Sequence, residues 1–301
     1  MPLTTKRARS SGRILRGAIL CGVAAMTCAA SARGRESVVG AQSQVSAPHV
    51  EIQLLAEQKA IRPGRTFWVG LEFKLPSGWH VYWQNPGDSG EPPKVKWSLP
   101  AGLHAGDLQW PVPQRLESSP SIVDYGYPDG VLLLAPIRAD STVSPASAVR
   151  LQAEVGYLVC REICVPGKAN VELSLPVQSG VAAWNADAHA LFEKTREQLP
   201  KPAPAGWRIR AQSQGNYFVL SIATGKPEGQ GVFFPLSPGE IENAAPQKAS
   251  ATANGIEIRV QKSDQLLKPI ARLRGVVELG GGRAYEVDAL VAASGARGST
   301  K

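Results

Sequence analysis

The sequence is poor in the residues that build most catalytic and metal sites. It has four cysteines and four histidines among 301 residues. His49, His80, His104 and His189 are scattered, with no i,i+4 pair and no Cys-His spacing that would fit zinc. Long apolar runs are also missing. After the N-terminal region the longest such run is VLLLAPI, which is far shorter than the ~20 residues of a membrane-spanning helix. The sequence therefore predicts neither a zinc site nor a transmembrane segment in the mature protein.

The first 32 residues predict a secretory signal peptide. Five basic residues and no acid precede or enter a moderately apolar stretch, and Ala30-Ser31-Ala32 has the small-x-small pattern of a cleavage site. After its removal, 28 basic residues would face 25 acidic ones, so the overall charge of +8 would fall to +3. Because no basic run remains, the sequence gives no electrostatic support for nucleic-acid binding.

Signal removal would leave two cysteines, Cys160 and Cys164. In an oxidising, exported compartment, such an isolated pair predicts a disulfide or a redox-active dithiol. No cofactor is expected.

The body of the chain has the pattern of an all-β protein. Its 30 glycines and 24 prolines punctuate short stretches of alternating apolar and polar residues, such as HVEIQLLAE and RTFWVGLEFKL. Residues 33–47 lack a pattern and predict a flexible lead-in. Residues 48–180 contain about seven strand-like stretches separated by turn sequences, which predicts an immunoglobulin-like β-sandwich.

Residues 181–204 interrupt this pattern. AAWNADAHALFEKTREQLP predicts a linking helix over about Asn185 to Gln198, followed by a proline-rich joint. Strand patterns return over residues 205–293 and predict a second immunoglobulin-like sandwich, with a tail at 294–301. The second domain contains no cysteine or histidine. A structural or docking role is therefore expected for it.

The stretch NPGDSGEPP contains GDSG, the string around the nucleophile of trypsin-like proteases. Such a site needs a histidine base and a buried aspartate oriented with it. Too little chain precedes Ser89 to build the barrel that carries those partners. Glycine tolerates positive φ, and aspartate and serine bond to nearby backbone, so consecutive turns are predicted here.

Aromatic residues are dense around this stretch: Trp79, Tyr82, Trp83 and Trp97 lie within nineteen residues. Alternate positions would face a sandwich core. Tryptophan and tyrosine also dominate interface hot spots, so a partner-binding surface is the alternative.

The stretch VGYLVCREICVPG carries the strongest chemical signal. Alternating residues on both sides place Cys160 and Cys164 around a three-residue turn at a hairpin tip. A disulfide closing a five-residue loop gains only about 2 kcal/mol from chain entropy, which argues against a stabilising staple. Arg161 would favour a thiolate at Cys160, partly offset by Glu162. A structural disulfide in a docking module, or copper binding by the two thiols, remains an alternative.

Several stretches together resemble the N-terminal periplasmic domain of the DsbD/ScsB family of thiol–disulfide interchange proteins, with the ScsB-like branch the nearest. They are GWHVYWQNPGDSGEPPKVKW, LQWPVPQRL, DYGYPDGVLLLAP and GYLVCREICVPGKANVELSLPV, with GVFFPLSPGEIENAAPQ and GGGRAYEVDALV in the second domain. The resemblance covers most of residues 48–291.

The resemblance implies a periplasmic protein-disulfide reductase activity in which Cys160 and Cys164 carry the electrons. A covering loop is expected at about Leu116 to Tyr127, with Tyr125 and Tyr127 as covering or partner-contact residues. The implied partners are thioredoxin-fold periplasmic proteins. The family's membrane and thioredoxin-like domains do not follow in this chain, so a separate membrane electron donor is expected.

Overall fold

The structure, a computed structural model, describes residues 43–145 and 148–293. The predicted signal peptide, most of the predicted lead-in and the tail lie outside these residues. None of the helices within the described ranges has the length and apolar character needed to cross a membrane. The fold is all-β and immunoglobulin-like with one short helix among the described elements, as the alternating pattern predicted.

The first domain consists of two facing sheets. In chain order its described strands are β1 (Gln44–Ala47), β2 (Val50–Ala56), β3 (Thr66–Lys74), β4 (His80–Gly87), β5 (Lys94–Ser98), β6 (Leu103–Ala105), β7 (Gln114–Ser119), β8 (Ile122–Pro128), β9 (Gly130–Ala139), β10 (Ala148–Cys160) and β11 (Cys164–Pro176). One sheet has the order β1-β2-β3-β9-β6. The other has the order β11-β10-β4-β8-β7, with β5 also paired to β10.

The core of this domain lies between the two sheets and follows the period of two in the sequence. On β10, alternate residues such as Leu151, Val155 and Val159 are buried in this core, while Gln152 and Glu154 are exposed. The hairpin of β10 and β11 is paired without a register shift from Ala148↔Pro176 to Cys160↔Cys164. This long, regular hairpin carries the two cysteines to one end of the sandwich.

The expectation of a flexible lead-in over residues 33–47 is wrong for its last four residues, which form β1. This strand pairs antiparallel with β2, with Val45 opposite Ile52. Val45 and Ala47 are half-buried and pack against the core of the first domain. Two alternating apolar side chains are thus enough to add an edge strand here.

Helix α1 (Ala186–Gln198) lies within the region predicted to be helical. It does more than link the domains, because it covers the outer face of the first sheet. Phe192 and Ala188 are buried against Leu55, Leu132 and Leu134, which point away from the core between the sheets.

The second domain contains one continuous sheet that encloses its own core. Its strands are β12 (Arg208–Gln214), β13 (Tyr217–Ala223), β14 (Gly231–Pro235), β15 (Lys248–Thr252), β16 (Gly255–Gln261), β17 (Arg272–Leu279) and β18 (Arg283–Ala293). They are ordered β14-β17-β18-β12-β13-β16-β15, and a parallel pairing of β12 with β18 joins the two halves. Leu220 and Ile258 of one half share a core with Phe233 and Val277 of the other.

The two domains are in direct contact. Phe234, from β14, lies in the core of the first domain, where its ring meets the edges of Trp83 and Tyr125. The side-chain amide of Asn85 donates a 2.8 Å hydrogen bond to the carbonyl of Pro235. This contact joins the second domain to the end of β4, close to the turn that contains GDSG.

Candidate functional site

The cysteines predicted to be a pair form a disulfide at the tip of the β10–β11 hairpin. The Cα atoms of Cys160 and Cys164 are 4.1 Å apart. The two sulfur-bearing residues differ in accessibility, because Cys160 is 2% exposed whereas Cys164 is exposed. Between them Arg161, Glu162 and Ile163 form the exposed turn that the sequence predicted.

The disulfide lies on the outer face of its sheet, away from the core. Cys160 follows Val159, which points inwards, and pairs across the strands with His80 on β4. Directly opposite residues of an antiparallel pair project to the same side of the sheet. His80, and Tyr82 two residues further on, therefore share the outer face with the disulfide, while Val81 and Trp83 point into the core.

Tyr82 and His80 are the side chains that sequence reasoning missed as site residues. The Tyr82 hydroxyl lies 3.8 Å from the Sγ of Cys164. The ring of His80 meets that of Tyr82 edge-on, with 5.0 Å between centroids. Both residues are buried although they lie outside the core. The alternation along HVYW places His80 and Tyr82 on the opposite face of the strand from Val81 and Trp83. It does not show that this outer face is covered.

Burial shifts the acid–base behaviour of both side chains. It lowers the pKa of His80, and the negative charge of Asp124 only partly opposes this shift. His80 Nε2 is buried and has no hydrogen-bond partner. Burial also raises the pKa of Tyr82, so its phenol stays protonated and can donate to sulfur.

The GDSG stretch covers Tyr82. A Cβ atom added to Gly90 would lie 2.1 Å from Cζ of Tyr82, so the ring packs flat against the glycine backbone. Gly87 and Gly90 both have positive φ angles, of 90° and 79°. We call Gly87–Gly90 the cover loop.

Ser89 is a turn residue, as predicted, and not part of a protease triad. Its backbone amide and its hydroxyl donate to the Oδ1 of Asp124, each at 2.9 Å. Asp124 is buried and also accepts a bond from the hydroxyl of Ser118. The serine therefore fixes the cover loop to β8.

The expectation that residues Leu116 to Tyr127 form a loop over the disulfide is wrong, because these residues belong largely to β7 and β8. Tyr125 and Tyr127 alternate with outward-facing residues and lie in the core, 0% and 6% exposed. Their hydroxyls donate to Asn243 and to the carbonyl of Pro111, and burial raises the pKa of both. Buried at these positions, neither side chain can cover the disulfide or contact a partner.

The other aromatic residues of this region serve different purposes. Trp83 is fully buried in the core, and Trp97 packs against the core from its edge. Trp79 is stacked on His49 with 3.9 Å between centroids, and the guanidinium of Arg161 lies 5.8 Å from the Trp79 ring centroid. Arg161 also pairs with Glu162 at 3.4 Å. The positive charge beside Cys160 is thus held by an aromatic ring and partly neutralised.

Residues 51–176 match the family described as "Thiol:disulfide interchange protein DsbD, N-terminal". This segment is therefore similar to the N-terminal domain of DsbD. It contains both cysteines, the cover loop and Tyr82, so the site described above lies wholly within the part of the chain that matches this family.

Beyond this module, a solved structure is similar over most of the chain. It is the N-terminal periplasmic domain of ScsB from Proteus mirabilis, with a TM-score of 0.65 and 18% identity. The match covers 83% of this chain and 97% of that one, so the two-domain fold is shared. Comparison with curated protein sequences gave no match.

Proposed function

We propose that the protein is a periplasmic thiol–disulfide interchange module that passes electrons through Cys160 and Cys164 to disulfides of thioredoxin-fold proteins. The observation that carries the proposal is the difference in exposure between the two cysteines at the hairpin tip. One cysteine is exposed at the surface, where a macromolecular partner can reach it, and the other is buried. The DsbD-type domain over residues 51–176, and the periplasmic origin of the similar ScsB domain, support the same function.

Cys164 is the attacking residue in this proposal. In the reduced protein its thiolate attacks one sulfur of the partner's disulfide and forms a mixed disulfide, while the other partner sulfur leaves as a thiolate. The Cys160 thiolate then attacks Cys164 Sγ, which releases the partner as a dithiol and re-forms the Cys160–Cys164 disulfide. Two electrons pass to the partner, and a donor dithiol restores the reduced protein by the reverse steps.

The Tyr82 hydroxyl lies 3.8 Å from Cys164 Sγ, so the Tyr82 ring limits access to this sulfur from one side. Ile163 stands 66% exposed between the cysteines. An apolar side chain at this position offers a partner a contact directly beside the reacting sulfur.

The trapping experiment uses two single variants. Cys160→Ala leaves Cys164 free to attack but removes the residue that resolves the mixed disulfide, so an adduct should accumulate. The reduced variant is mixed with an oxidised thioredoxin-fold protein, and a reductant-sensitive adduct is sought by mass spectrometry. Cys164→Ala is the matched control and should give no adduct.

An adduct with Cys164→Ala alone would reverse the roles of the two cysteines. Absence of an adduct with both variants would contradict the proposed exchange and favour a structural disulfide.

A further inference from the structure

Asn243 of the second domain makes its polar contacts with the first domain. This residue is 5% exposed and lies between β14 and β15. Its side-chain amide donates a 2.7 Å hydrogen bond to Oδ1 of Asp88, and its Oδ1 accepts a 2.9 Å bond from the Tyr125 hydroxyl. Its backbone carbonyl accepts a 2.7 Å bond from the guanidinium of Arg115. A buried amide satisfied in this way positions one domain against the other.

Asp88 transmits this contact to the cover loop. Its second carboxylate oxygen accepts a 2.8 Å bond from the backbone amide of Val123, and its own amide donates to the Val123 carbonyl at 3.1 Å. The carboxylate is thus held between β8 on one side and Asn243 on the other. Removing Asn243 would leave the loop attached to β8 and, at Gly87, to Asn85, but it would remove the direct bond between Asp88 and the second domain.

The cover loop in turn limits where the Tyr82 ring can lie. The ring packs against the backbone of Gly90, two residues from Asp88, and its hydroxyl contacts Cys164 Sγ. A shift of the loop away from the sheet would release the ring from Gly90. The Tyr82 hydroxyl would then no longer be held against the Cys164 sulfur.

We infer that Asn243 is a positioning residue for the disulfide, acting in the order Asn243, Asp88, Gly90, Tyr82, Cys164. The second domain, which has no redox chemistry of its own, thereby holds the cover over the redox site of the first. The biological significance of this role depends on the proposed function. The shielding of the disulfide is a separate physical property and can be measured without a protein partner.

The test is the second-order rate constant for reduction of the disulfide by dithiothreitol in the full chain. Asn243→Ala should raise this rate about fivefold, the factor that corresponds to the net loss of one hydrogen bond. Tyr82→Ala should also raise the rate. The double variant should be no faster than Tyr82→Ala, because Asn243 acts through the Tyr82 ring.

Gln247→Ala is the matched control. Gln247 bonds the backbone amide and carbonyl of Phe233, both at 2.8 Å, so its loss weakens the second domain without touching the cover loop. Its rate should equal that of the wild type. If Asn243→Ala folds poorly, Asp88→Ala removes the same contact from the loop side, together with the bond from the Val123 amide, and should accelerate reduction at least as much.

The inference would be overturned if Asn243→Ala and Asp88→Ala were both reduced at the wild-type rate. It would also be overturned if the double variant were reduced five times faster than Tyr82→Ala. The proposed function can fail separately. If the variants accelerate reduction as expected but wild-type protein forms no exchange with a thioredoxin-fold protein, the positioning role stands and the exchange activity does not.

Discussion

Protonation of His80, beside the disulfide, makes the stability of the folded protein depend on pH. Burial lowers its pKa, so the folded protein binds a proton at this ring less readily than the unfolded chain does. The unfolded state therefore takes up more protons as the pH falls below the ordinary histidine pKa of about 6.5. Stability contributed by neutral His80 is present above that value and is lost on acidification towards the lowered pKa.

His80→Gln should consequently flatten the pH dependence of stability between pH 7 and pH 5. Glutamine has no titration in this window, whereas the other histidines are retained and serve as an internal reference. The measurement is the free energy of unfolding in urea at several pH values, with the disulfide intact. Equal slopes for wild type and variant would show that His80 titrates as it does in the unfolded chain.

Among single residues, the sequence predicted the cysteine pair and the turn at GDSG, but not the neighbours of the disulfide. Two cysteines spaced Cys-x-x-x-Cys between alternating stretches predict a hairpin tip from the local sequence alone. Tyr82 and His80 are neighbours of the sulfurs only through strand pairing and through the cover loop. The resemblance placed Tyr125 and Tyr127 in a covering loop, whereas both are buried in the core as alternate residues of β8.

At the scale of elements, α1 is fixed to the first sheet by one buried carboxylate as well as by Phe192. Burial alone would raise the pKa of Glu57, but hydrogen bonds from Arg196 and His189 lower it. Arg196 donates to both carboxylate oxygens at 2.6 and 2.7 Å, and His189 Nδ1 lies 2.9 Å from Oε1. The carboxylate of Glu57 is thus paired with the guanidinium of Arg196 and in hydrogen-bond contact with His189, both on the helix.

Glu57→Ala should destabilise the protein by about 1.5–3 kcal/mol, the range for hydrogen bonds to charged groups, because Arg196 and His189 lose a buried acceptor. Glu193→Gln is the matched control. Glu193 pairs with the same arginine but is 56% exposed, and exposed pairs contribute below about 1 kcal/mol. Urea unfolding midpoints compare the two. Equal effects would show that the pair holding α1 to the sheet adds little stability.

The existence of α1 was predictable from its sequence, but its packing was not. Helix formers and a terminal proline determine where a helix begins and ends. Leu132 and Leu134 make β9 apolar on both faces, and this is the signal that an additional element must cover the sheet. Which element covers it depends on Glu57, which is 132 and 139 residues away from its partners His189 and Arg196 in α1.

For the whole molecule, the alternating pattern predicted an all-β, immunoglobulin-like fold, and the structure has this fold. The contact between the domains was not predictable, because it depends on Phe234 and Asn243, single residues far along the chain from the site they meet. In the stretch GVFFPL, Phe234 has the pattern of an ordinary strand residue, as does Phe233 beside it. Only the three-dimensional arrangement shows that its ring completes the core of the other domain.

The reduction potential of the Cys160–Cys164 disulfide in the full chain tests the central claim most directly. It is obtained by equilibrating the protein in dithiothreitol buffers of defined ratio and measuring the fraction of disulfide. A disulfide that closes a five-residue loop gains only about 2 kcal/mol from chain entropy, so it has little protection against reduction. The account predicts a potential well above about −300 mV, the limit below which structural disulfides typically lie. A value far below this limit would contradict the account and identify the disulfide as a structural one.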